Sequence, residues 1–116
     1  MAERFEAKAR RQGDAGIVDI TGELDGEAAA RLQAAYAEAA GGAERVILNF
    51  GGLTYMNSTG IGLLVTLLVR AQRQNQRMLA YGLSEHYRQI FEITRLSDFV
   101  TIHADEASAV AGSASA

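Results

Sequence analysis

The chain has 116 residues, 48% of them hydrophobic, and a formal net charge of −3. That length suits one domain with one core, and the acidic balance leaves no surplus of cations to hold a phosphate backbone, so nucleic acid is not an expected partner. There is no Cys, which excludes disulfides and thiolate metal sites. No stretch approaches the ~18 consecutive apolar residues of a membrane helix, so direct membrane insertion is not expected. The opening Met1-Ala2-Glu3-Arg4-Phe5 lacks the charged-then-apolar layout of a signal peptide, which makes the cytoplasm the default expectation.

Phe5, Ala7 and Ala9 alternate with Arg4, Glu6, Lys8 and Arg10, the period of a half-buried strand. Gly13-Asp14-Ala15-Gly16 reads as a turn and Ile17-Val18-Asp19-Ile20 as a second strand, so the opening is expected to be an antiparallel hairpin. The basic stripe Arg4, Lys8, Arg10, Arg11 is expected to be a solvated face, with an interaction patch as the alternative. Thr21-Gly22-Glu23-Leu24-Asp25 follows. Gly22 allows a tight exit from the strand, and Asp25 is placed to cap the next helix. Glu23 and Asp25 fit either a polar turn or a partner-binding loop.

Ala28, Leu32, Ala35, Tyr36 and Ala39 share one helical face, and Gly41-Gly42 is a plausible C-cap. Val46-Ile47-Leu48-Asn49-Phe50 is apolar on both faces, the pattern of a central parallel strand. Strand, helix and strand in succession argue for a βαβ crossover and an α/β sheet. Functional sites in such sheets collect beyond the carboxyl ends of the strands. The segment Gly51–Gly62, expected to be a loop, is such a place.

Within it lies Met56-Asn57-Ser58-Thr59-Gly60-Ile61-Gly62. Asn57 and Ser58 are both good N-cap residues. The first turn of a helix carries partial positive charge and free N–H donors, so a hydroxyl held there tolerates modification by an anionic group. The helix is expected from about Ser58 to Gln74. Ile61, Leu64, Val65 and Leu68 form its expected core face. Leu63, Leu67 and Val69 are left over, either packed under neighbouring elements or forming a patch for a partner. Gly60 and Gly62 each weaken the first turn by roughly 1 kcal/mol, which suggests close approach by another backbone or local mobility.

Arg70, Arg73 and Arg77 read as a polar helix end and turn. Met78-Leu79-Ala80-Tyr81 is the next strand, ended by Gly82. Ser84 caps a helix with Leu83, Tyr87, Ile90 and Phe91 buried. Ile93, Leu96 and Phe99 are expected to continue the apolar contacts. Val100-Thr101-Ile102-His103 is a last short strand, and Asp105 caps a closing helix from Glu106 to Val110. The tail Ala111–Ala116 is expected to fray.

No catalytic constellation emerges. Ser58 is not in a nucleophile elbow, because Met56 stands where that motif needs Gly. The glycines beside it lack the Lys of a P-loop. His86 and His103 are both expected to be exposed and inert, and no spacing suggests a metal. An enzyme is the weaker class, and no cofactor is expected.

Tyr55-Met56-Asn57-Ser58-Thr59-Gly60-Ile61-Gly62, with Thr21-Gly22-Glu23-Leu24-Asp25 upstream and Val46–Phe50 plus Leu53 between, resembles the STAS domain of anti-sigma factor antagonists over nearly the whole chain. The resemblance implies a single domain over residues 1–110 with a flexible tail over 111–116. It implies a mixed sheet of four to five strands with flanking helices, in the order β-β-α-β-α-β-α-β-α. It also implies partner switching. The unphosphorylated protein binds an anti-sigma factor that is also an ATP-dependent serine/threonine kinase and frees a sigma factor. Phosphorylation of the signature hydroxyl releases the antagonist, and a phosphatase resets it. By position the acceptor is Ser58, with Thr59 as the neighbouring alternative. The partner-binding set implied is Glu23, Leu24, Asp25, Asn57, Ser58, Thr59, Gly60, Ile61, Leu63 and Leu67. Many phosphorylatable relatives carry Asp where this chain has Asn57, which removes a carboxylate beside the acceptor. A STAS scaffold in a stress-sensing complex, or an accessory subunit of a membrane transporter, is the alternative role. A homodimer is compatible with either.

Overall fold

A computed structural model of the chain describes residues 4–112. Strands β1 (Glu6–Gln12) and β2 (Ala15–Leu24) form the opening hairpin. A 3₁₀ turn (Gly26–Ala28) leads into α1 (Ala29–Ala40), followed by β3 (Arg45–Met56) and α2 (Ser58–Arg73). Then come β4 (Arg77–Tyr81), α3 (Glu85–Ile93), a 3₁₀ turn (Leu96–Asp98), β5 (Val100–His103) and α4 (Glu106–Gly112). The sheet has five strands in the order β1-β2-β3-β4-β5, antiparallel at β1–β2 and parallel elsewhere. The expected element order and α/β class stand. The closing helix runs past the expected Val110 boundary through Gly112, and the rest of the tail, Ser113–Ala116, lies outside the described residues.

The strand order never reverses, so successive crossovers stack their helices on one face. Val18, Ile20, Val46, Leu48, Phe50 and Met78 point to that face, against Leu32 and Tyr36 of α1, Leu64 and Leu67 of α2, and Phe91 of α3. The opposite face carries a smaller cluster of Ala15, Ile17, Ile47, Leu79 and Tyr81, covered by Ala109 and Val110 of α4. Phe50 and Phe91 meet edge to face at 6.1 Å, tying α3 to the central strand.

Four expectations are corrected. The early loop and the segment after Phe50 are strand. Thr21 pairs with Gly52, Gly22 with Leu53, Glu23 with Tyr55 and Leu24 with Met56, with register shifts along the way. The glycines that read as turn signals mark bulges. Gly22 has φ +84, and a Cβ there would strike the Arg4 carbonyl. Second, on α2 the buried residues include Leu67 at 1% exposure, whereas Val65 is 41% exposed. The helix is rotated from the expected setting because Gly60 must face Leu24. Third, Leu96 is buried, but Ile93 and Phe99 are 80% and 58% exposed. Arg95 takes a left-handed conformation (φ 67) just after α3 and turns the chain so that only Leu96 points inward. Fourth, His103 is only partly exposed, with Nε2 buried and unpartnered, while His86 is exposed as expected.

The basic stripe also divides. Arg4, Lys8, Arg10 and Arg11 are all exposed, as expected of a solvated face, but Arg11 also donates to the Gly41 carbonyl at 2.6 Å and Arg10 joins an ionic network on the α4 face.

Candidate functional site

The strand-to-helix junction after β3 is a single residue, Asn57. Its backbone is extended (φ −100, ψ −177), and its side-chain Oδ1 accepts from the Gly60 N–H at 2.9 Å, the geometry of an N-cap. Its carbonyl accepts the first helical bond, from Ile61 N–H at 3.0 Å. Ser58 and Thr59 therefore fall in the first turn, where N–H groups have no intrahelical acceptor and the helix dipole is positive. Both are exposed. The first turn contains no acidic residue, so nothing there neutralises the helix end.

Parallel pairing of β2 with β3 brings the early segment beside this turn. The Asn57 N–H donates to the Leu24 carbonyl at 3.3 Å. A Cβ on Gly60 would strike that same carbonyl. Gly60 is thus required by the approach of β2, as one of the two readings of the paired glycines proposed. Gly62 has open space where a Cβ would be, so that reading does not extend to it. Gly26 lies against the Thr59 methyl, 3.4 Å from where its Cβ would stand. Asp25 accepts from the Glu27 N–H at 3.0 Å, capping the 3₁₀ turn that carries the chain away from the site.

Of the residues expected to meet a partner, Ser58 and Thr59 are exposed, and Glu23, Asp25, Asn57, Ile61 and Leu63 are half-buried at the surface. Leu24 and Leu67 are core residues, with 0% and 1% exposure, and Gly60 is buried under Leu24. These three shape the surface from beneath and do not offer side chains to it. On the outer face of α2 the exposed apolar residues are Val65 and Val69.

Tyr87 is a support that sequence reasoning placed only in a buried stripe. Its hydroxyl accepts from the Met56 N–H at 2.9 Å, holding the last residue of β3 just before the cap. Its spacing in an amphipathic helix carries no sign of that role, which depends on where α3 crosses β3. Ser84 caps α3 by accepting from the Tyr87 N–H at 3.3 Å, as expected.

Among the described residues, no group of three or more His, Cys, Asp or Glu is arranged to hold a metal ion. No helix among them is long and apolar enough to cross a membrane.

The sheet order, the single-residue junction and the capped hydroxyl turn define a small α/β module with exposed hydroxyls at the head of α2. The STAS domain model matches residues 6–109, and the chain belongs to that family. It is 31% identical over 96 residues to the anti-sigma-B factor antagonist of Listeria monocytogenes, covering 79% of this chain and 83% of that protein. It is 32% identical over 62 residues to the anti-sigma-B factor antagonist of Staphylococcus epidermidis, covering 53% of this chain and only 57% of that relative. The anti-sigma factor antagonist SpoIIAA shares its fold. The unphosphorylated form has a TM-score of 0.71 at 19% identity over 96% of this chain and 97% of that one. The phosphorylated form, from Bacillus, has a TM-score of 0.69 at 24% identity over 92% and 96%.

Proposed function

We propose that the chain is an anti-sigma factor antagonist. It binds an anti-sigma factor that is also an ATP-dependent serine/threonine kinase, and that binding frees a sigma factor. Phosphorylation of Ser58 switches the binding off, a phosphatase restores it, and Thr59 is the neighbouring acceptor. The role is regulatory and not catalytic. The observation that carries this reading is the exposed Ser58 hydroxyl in the first turn of α2, against the β2 segment ending at Asp25. The similarity to anti-sigma-B factor antagonists supports the choice of partner.

Physically, a phosphate adds about −1.5 to −2 charges at neutral pH. The open N–H groups and dipole of α2 accommodate it, so the fold survives modification. What changes is the surface. An unfavourable charge in a desolvated contact that costs about 4 kcal/mol lowers affinity roughly a thousandfold. Asn57 keeps the cap without placing a carboxylate beside the acceptor, so the phosphate introduces the first negative charge of that turn.

The test is intact mass after incubation with ATP and anti-sigma kinases of the same organism. One added phosphate, lost in Ser58→Ala and kept in Thr59→Ala, is expected. Loss only in Thr59→Ala moves the acceptor. Binding to the kinases without any phosphate would mean an unswitched binder, and no binding to any of them would sink the reading.

A further inference from the structure

β1 is an edge strand, with no strand on its outer side among the described residues. A trough runs along it, between β1 and α1. Its central part is a hollow of about 740 Å³ floored by Ala7, Ala9, Ala34 and Ala35. It continues past Phe5 and Arg31 at one end and past Arg11 and Glu38 at the other. The cause lies in α1, which turns alanines toward this edge where a helix with Leu would close over it. Small side chains leave room for a second backbone to approach.

The charges around the trough are arranged so that the surface complements itself. On α1, Arg31, Ala34 and Glu38 stand at i, i+3 and i+7, on the side that lines the trough. On β1, Glu6 and Lys8 flank Ala7, and Arg4 and Arg31 sit at the end opposite Glu38. A two-fold axis through Ala7, perpendicular to the sheet, sets β1 antiparallel to β1 of a second copy. Glu6 then lies opposite Lys8 of the second copy and Ala7 opposite Ala7. On the helix side Arg31 faces Glu38 and Ala34 faces Ala35, and every contact away from the axis occurs twice. Arg31 reaches the Phe5 carbonyl at one end of the trough and Glu38 lines it beside Ala9 at the other, so Ala7 falls between them and one axis serves both elements.

We infer that the β1–α1 trough is a self-association surface, through which two copies join edge to edge into a continuous ten-stranded sheet. Lys8 and Glu6, which on an isolated edge deter unspecific pairing, select this register. In this register Arg10 falls opposite Arg4 of the second copy, but it is already neutralised by Asp19 and Glu106 on the other face, so it adds no unpaired cation at the seam.

The test is sedimentation equilibrium up to about 1 mM protein, a range that detects millimolar affinity. A monomer–dimer equilibrium is expected. Glu38→Arg and Arg31→Glu should each weaken it about tenfold, by setting like charges across the axis. An equimolar mixture of the two variants should return to wild-type association, because each then supplies the charge the other lacks. Arg31 also donates to the Phe5 carbonyl at 3.0 Å, so thermal unfolding checks that its replacement still folds. A second variant is independent of these charges. The chain has no native Cys, so Ala7→Cys carries a single thiol at the axis. It should form a disulfide dimer on mild oxidation, whereas Thr101→Cys on the opposite edge should not. A chain that stays monomeric throughout, a dimer unmoved by either charge reversal, or cross-linking only through position 101 would each overturn the inference. None of these outcomes depends on Ser58 or on a kinase.

Discussion

The two faces of the sheet are covered in different ways. On one, three helices bury large side chains: Leu32, Tyr36, Leu67 and Phe91 have at most 2% exposure. On the other, a helix of 7 residues contributes Ala109 and Val110, and a set of polar contacts also ties it to the sheet. Arg10 contacts Asp19 at 2.7 Å and Glu106 at 2.5 Å. The Tyr81 hydroxyl donates to Glu106 at 2.8 Å, and the Asn49 amide to Asp19 at 2.8 Å. At the far end Arg45 donates to the Val110 carbonyl at 3.1 Å and pairs with Asp14 at 3.0 Å. Apolar burial is insensitive to pH and scales with area. Partly exposed ionic contacts are each worth little and depend on protonation. The signature turn stands on the strongly held face, because α2 is one of its three helices.

The electrostatics of the network follow from the geometry. Burial pushes the Asp19 carboxyl up, but hydrogen bonds from Arg10 and Asn49 outweigh it and leave the group below its ordinary value. Glu106 is lowered by its bonds to Arg10 and Tyr81. Tyr81 is pushed up to about 12, first by burial and then by the bond to Glu106.

Substitutions on each face separate the two modes. Leu67→Ala removes a fully buried side chain and should cost about 2–5 kcal/mol in urea unfolding. Gly60→Val forces a side chain into the Leu24 carbonyl and should cost about 1–3 kcal/mol, since both backbones are fixed by strand pairing. Asn57→Ala removes the α2 cap for about 1 kcal/mol, while Asn57→Asp retains it. Glu106→Gln on the α4 face should cost under about 1 kcal/mol at neutral pH. Its pH dependence distinguishes it. The folded carboxyls of Glu106 and Asp19 titrate below their ordinary values, so their contribution is present above the ordinary carboxylate range and is lost as pH falls through the lowered values. The gap between wild type and Glu106→Gln should therefore shrink below about pH 4, whereas the Leu67→Ala gap should hold. A Glu106 gap that stays constant with pH would break the comparison. Smallest of all, Val65→Thr should stay within about 0.5 kcal/mol, because Val65 is 41% exposed. A large loss there would restore the helix setting read from periodicity alone.

That setting shows where reading the chain stops. The apolar residues of α2 exceed one stripe, and periodicity chose Val65 for the core where packing chose Leu67. Gly22 read as a tight exit from its strand and Gly51–Gly62 as a loop, because glycine marks turns as well as bulges. Only the pairing of β2 with β3 distinguishes them. Asn57, Ser84 and Asp105 were legible as caps, because capping is a contact within a few residues.

By itself the sequence determined the α/β element order, the caps and the hydroxyl turn at the head of α2, since each depends on local pattern and short-range hydrogen bonding. Tertiary structure decided what distance along the chain conceals. It set Gly60 against Leu24, turned Leu67 inward and Val65 outward, and drew Arg10 to Glu106 across 96 positions. Such contacts join residues whose local patterns are independent, and only the packing of whole elements makes them neighbours.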